Sequence, residues 1–179
     1  MNSHYRWPLI SLHWLTLLLI VAAYVLASLL EDMPLSPQKL HLYAWHKWAG
    51  ISVLFLLPLR LLVRRLDPLD HRAELTAFEV KASASMHGML YLLMIVVPLL
   101  GWLHSSAAGF SVVWFGVLPL PDMVGKDKAL SELFKELHGG SVNLLVVLVV
   151  VHAAAAIYHH HLRCDGVLIR MAPWLNRKK

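Results

Sequence analysis

The chain has 179 residues, 58% of them hydrophobic and only 15% charged, with a formal net charge of +5. That balance is far from an ordinary soluble domain, and the length suits one compact domain. A single cysteine, Cys164, excludes an intramolecular disulfide, and no basic run interleaved with aromatics points to nucleic acid.

Four apolar segments follow in chain order. The first, at about residues 8–30, is long enough to span a bilayer, for which about 20 residues suffice. Ala27-Ser28-Leu29-Leu30 leads straight into Glu31-Asp32 without a small-residue cleavage site, so the segment reads as a retained span, not a signal peptide. The second covers about residues 42–63, the third 82–103 and the fourth 138–161. Backbone amides in hydrocarbon must be satisfied internally, which makes each a helix. Pro58 and Pro98 fall inside spans, where a kink is expected before a break. The outer connection, 104–137, reads as amphipathic or irregular over 105–136, interrupted by Gly109, Gly116, Pro119, Pro121 and Gly125, and could cap the bundle. The expected fold is all-α: an integral membrane four-helix bundle, one transmembrane domain over residues 1–179.

Charge sets the orientation. Arg6, Arg60, Arg64, Arg65, Arg72, Lys81, Arg163, Arg170, Arg177, Lys178 and Lys179 fall on one side; Lys39, Lys47, Lys126, Lys128 and Lys135 fall on the other. The richer side is expected to be cytoplasmic, with both termini there, and the basic tail to meet anionic lipid.

Histidines then acquire depths. His138 and His152 are fourteen residues apart on the fourth segment, within about 40° of one face and about 21 Å along the axis. Ionisable groups inside a span are costly and mark function by default. His46 opens the second span at the outer level, beside Trp45, Lys47 and Trp48, and pairs with His138. His13 lies at the inner level and pairs with His152, although His87 shares that level and depth alone does not choose between them. Facing helices of a bundle build cofactor sites in this way. Zinc usually takes four nitrogen or sulfur ligands, whereas each level here holds two or three imidazoles. Two stacked bis-histidine sites point instead to two haems. Without Cys-x-x-Cys-His, these would be non-covalent haem b. Arg60, fourteen residues after His46 on nearly the same face, suits a haem propionate, which a guanidinium pairs bidentately.

Ser11-Leu12-His13-Trp14, His46 followed by Gly50-Ile51 and Arg60, His138, and the run from His152 through Ala153–Ala156 to His159-His160 together resemble the bacterial cytochrome b561 family. The resemblance covers essentially the whole chain. It implies a multi-pass cytochrome of the bacterial inner membrane, with His13, His46, His138 and His152 as axial ligands of haem iron. It leaves His87 for packing or for the substrate site. It implies ubiquinone as acceptor at the inner haem, and His159, about 20° off the His152 stripe, could hydrogen-bond a quinone carbonyl and supply a proton. Family members of this size resemble superoxide oxidases, which pass an electron from superoxide at the periplasmic surface to quinone. The outer face holds five lysines against Glu31, Asp32, Asp122, Asp127, Glu132 and Glu136, so long-range steering of an anion is not evident. The alternatives are a non-catalytic electron-transfer subunit for a periplasmic or membrane partner, and a histidine-lined metal-ion transporter.

Overall fold

The computed structural model describes residues 4–67 and 76–175. Of the residues weighed above, Arg72, Arg177, Lys178 and Lys179 lie outside that range.

Four long helices carry the chain: α1 (Trp7–Glu31), α2 (Pro37–Arg65), α3 (Ala77–Ala107) and α4 (Lys128–Tyr158). Each is apolar and long enough to cross a membrane, as the all-α reading expects. Local chemistry explains where they start. Pro8 sits in the first turn of α1, where its missing N–H costs nothing. Ser36 caps α2 by accepting from the Lys39 amide at 3.2 Å, ahead of Pro37. Thr76 and Glu79 form a reciprocal capping box on α3. Asp127 accepts from the Leu130 amide at 3.0 Å and opens α4. Both α2 and α3 run through their internal prolines, Pro58 and Pro98, without ending.

The helices outrun the apolar segments. The connection between α3 and α4 is 108–127, because the 128–137 stretch is a charged first third of α4 and not loop. Within that connection a two-stranded hairpin forms from β1 (Val113–Trp114) and β2 (Leu118–Pro119), antiparallel, with Trp114 opposite Leu118. After α4 a single wide turn, His159–Arg163, leads to the short α5 (Val167–Met171).

Helix α1 packs mainly on α2, and α3 on α4. Val53, Leu57 and Met94 form a small core against Leu19, Ile20, Leu61 and Tyr91. Most large apolar side chains point outward instead; on α4 only Leu145 is buried. A surface of that kind is solvated by lipid tails. The first and last described segments meet at one end of the bundle: the Tyr5 amide donates to the Arg170 carbonyl at 3.1 Å, and the Trp14 indole donates to the Met171 carbonyl at 2.8 Å. The α2 terminus joins them there, Asp67 accepting from the Arg6 amide at 3.0 Å.

Candidate functional site: two imidazole pairs in one bundle

His46 on α2 and His138 on α4 face each other across the bundle, ring centroids 6.2 Å apart and planes at 85°. Each ring is held from behind. His46 Nδ1 donates to the Ala23 carbonyl of α1 at 2.8 Å, and His138 Nδ1 donates to the Val97 carbonyl of α3 at 2.9 Å. A carbonyl only accepts, so the proton resides on Nδ1 and the Nε2 lone pair is free to bind a metal. Gly101 makes the seat for His138: a Cβ there would lie 3.0 Å from the ring Cε1. Between the two rings and α1 opens a cavity of about 450 Å³ that also reaches Glu31, Lys47 and Asn143.

The second cluster is built differently. His13 on α1 and His152 on α4 have centroids 6.3 Å apart, while His87 on α3 stands 5.3 Å from His152. His87 Nδ1 donates to the Ser83 carbonyl, one turn back, at 2.7 Å. His13 has a different neighbour: Arg60 Nη2 donates to its Nδ1 at 2.9 Å, which places the imidazole proton on Nε2. That guanidinium is only 9% exposed, stacks 5.6 Å from the Tyr91 ring centre, and leaves its Nε without a hydrogen-bond partner.

These spacings can be compared with what two-imidazole ligation demands. A metal–imidazole bond of about 2.0 Å on each side, with each ring centre about 1.1 Å behind its nitrogen, sets the centroids about 6.2 Å apart. The pairs His46–His138 and His13–His152 match; His87–His152 falls short. Among the described residues, no three His, Cys, Asp or Glu side chains gather where they could hold a metal ion directly. The buried, under-partnered Arg60 supplies what an anionic substituent on a planar group would need.

His159 stands at the start of the wide turn after α4, 17% exposed at its side chain, and its Nδ1 donates to Asp165 Oδ2 at 2.5 Å. The sequence reading had no partner for His159. Six residues exceed one helical turn, and the contact exists because Cys164 (φ 53°) and Gly166 (φ 72°) turn left-handed on either side of Asp165 and fold it back. Gly166, where positive φ is least costly, is the one sequence signal for it. Burial pushes the Asp165 carboxyl up, but the His159 bond, the Val167 amide and Arg163 together hold it below the usual carboxylate range. Arg163 in turn pairs with Glu79 at the base of α3. The His104 Nδ1 donates to the Ser131 carbonyl at 2.9 Å and ties α3 to α4.

Four membrane-length helices holding two stacked imidazole pairs define a class, the membrane cytochromes b. A family model of the prokaryotic cytochrome b561 matches residues 4–174. The chain is 33% identical over 169 residues to "Cytochrome b561 homolog 1" of Escherichia coli (strain K12), covering 92% of this chain and 94% of that one. It is also 29% identical over 174 residues to "Probable superoxide oxidase CybB" of Yersinia pestis, covering 97% and 98%. This chain belongs to the prokaryotic cytochrome b561 family: it is a multi-pass bacterial membrane oxidoreductase of the electron-transport type, for which the family implies haem b.

Proposed function

We propose that the protein carries electrons from superoxide at the periplasmic face of the inner membrane to ubiquinone near the cytoplasmic face. The observation that carries this reading is the pair of imidazole couples, each at bis-imidazole spacing, at two depths of one bundle. When bound, two haems b supply one-electron carriers at those depths. His46 and His138 would hold the outer one, their Nε2 atoms presented by the carbonyls of Ala23 and Val97. His13 and His152 would hold the inner one, their spacing favouring them over His87. The buried guanidinium of Arg60, whose Nε has no hydrogen-bond partner, would pair with a haem propionate.

At the inner end, His159 is the proton donor to the quinone, with Asp165 fixing its tautomer and stabilising the imidazolium. His87, whose Nε2 is left an acceptor by the Ser83 bond, stands at the substrate side of the inner pair. Overall, two superoxide anions release two electrons and leave as dioxygen, while one quinone takes those electrons and two protons and leaves as quinol. The relative named a probable superoxide oxidase supports the donor; the basic excess on the side where the first and last described segments meet supports the orientation.

A second reading, an electron-transfer subunit for a periplasmic or membrane partner, draws on the nearly balanced charge of the outer face. A metal-ion transporter is disfavoured by the bis-imidazole spacing of His46–His138 and His13–His152. The purified, haem-loaded chain in lipid decides between the first two: quinone reduction by superoxide with nothing else added supports the oxidase, and reduction only with a protein partner rejects it.

A further inference from the structure

The α3–α4 connection carries a surface that the electron path does not use. Residues 110–121, FSVVWFGVLPLP, hold no charged side chain in 12 positions. Val112 is buried, but the tip lies outside the core: Val117 is 84% exposed, Phe115 55% and Leu118 47%. An uncharged run of this length is too short to span a bilayer and belongs to re-entrant or interfacial segments.

Its depth is set by α2. The Trp48 indole donates to the Val113 carbonyl at 2.7 Å, and its ring lies 5.3 Å from that of Phe115. The Trp114 indole donates to Ser52 Oγ at 3.2 Å, and its ring stands edge-on to Phe55 at 5.2 Å. Trp48, Ser52 and Phe55 are spaced i, i+4, i+7, a single face of α2. No charged residue occurs on α2 between Lys47 and Arg60. Ser52 and Phe55 lie about 7 and 12 Å below Lys47 along the helix axis, so the Trp114 ring is level with hydrocarbon. The hairpin therefore leans down the flank of α2.

Backbone at that depth is tolerated when its polar groups are paired internally, and several here are. The reversal at Phe115 and Gly116 (φ 51° and 71°) lets the Gly116 amide donate to Val113 at 3.2 Å and the Val117 amide to Trp114 at 3.1 Å. The Leu120 amide donates to Val112 at 2.8 Å. Pro119 and Pro121 bring no amide proton, and the Pro121 carbonyl accepts from the Trp102 indole at 3.2 Å.

We infer that residues 110–121 form a lipid-inserted hairpin in the leaflet on the side of the α3–α4 connection, with Phe115, Val117 and Leu118 among acyl chains. The occupant is lipid because the exposed rim is continuous with Phe55, itself 44% exposed on the lipid-facing wall of α2.

The test places a nitroxide at Val117→Cys in a Cys164→Ser background, with the full haem-loaded chain in nanodiscs holding one copy. Val150→Cys, 61% exposed on α4, and Gly125→Cys, exposed in the charged stretch before α4, are the references. Collisions with oxygen at Val117 are expected to exceed those with a water-soluble nickel chelate several-fold, as at Val150. Nickel-chelate access equal to that at Gly125 would overturn the insertion. Low access for both reagents would mean a protein cover, and would overturn lipid as the occupant.

Discussion

The outer and inner imidazole pairs have nearly the same centroid spacing, 6.2 and 6.3 Å, and are prepared in opposite ways. At the outer pair both rings are locked by backbone carbonyls from neighbouring helices, the ring of His138 is seated on a glycine, and both Nε2 atoms are free. At the inner pair three histidines crowd together, and the one on α1 is held by an arginine in the tautomer that hides its lone pair. Outer-shell hydrogen bonds of this kind fix ligand orientation and basicity. The contrast teaches that a single bundle can present one imidazole pair with both Nε2 atoms free while the other keeps a ring nitrogen engaged by Arg60.

The largest effects come from removing a ligand. His138→Ala is expected to abolish the outer haem and His13→Ala the inner one, each read as loss of half the b-type absorbance. Retention of both haems in His13→Ala, together with loss in His87→Ala, would reverse the inner assignment. Next comes the seat: Gly101→Val pushes a side chain into a ring already 3.0 Å from a Cβ at this position. It is expected to weaken haem retention at the outer site by about 10- to 100-fold, the usual effect of disturbing a ligand's support. The matching change at the inner site, Arg60→Gln, keeps a donor but removes the charge. It is expected to keep both haems and shift the midpoint potential of the inner one alone, measured by redox titration. Equal shifts at both would erase the distinction.

Smaller in the spectrum but not in rate is the inner rim. His159→Ala is expected to slow quinone reduction by about 10²-fold or more with both haems retained, and Asp165→Asn to slow it less. Because the Asp165 carboxyl is held low, its anionic partnership with His159 persists above the ordinary carboxylate range and is lost only as pH falls through the lowered value. Unchanged kinetics in both variants would remove His159 from the reaction.

Much of this was legible in the residues themselves. Hydropathy marks the four spans because lipid tolerates little else, and the fourteen-residue step from His138 to His152 fixes two depths on α4 by helix geometry alone. The early start of α4 was not legible, since the 128–137 stretch is charged and lies beyond the apolar signal, although Asp127 is a good cap. Depth left the choice between His13 and His87 open; the family resemblance favoured His13, and its ring spacing to His152, 6.3 Å against 5.3 Å for His87, supports that choice. Asp165 escaped because two left-handed residues, not a periodic pattern, bring it to His159. The carbonyls that orient His46 and His138 carry no side-chain signature at all.

The most direct measurement of the central claim is haem stoichiometry with low-temperature electron paramagnetic resonance on the purified, oxidised protein. Two b haems per chain are expected, both low-spin with two imidazole ligands, one of them lost in His138→Ala and the other in His13→Ala. A single haem per chain, or a high-spin five-coordinate signal at either depth in the unsubstituted protein, would contradict it.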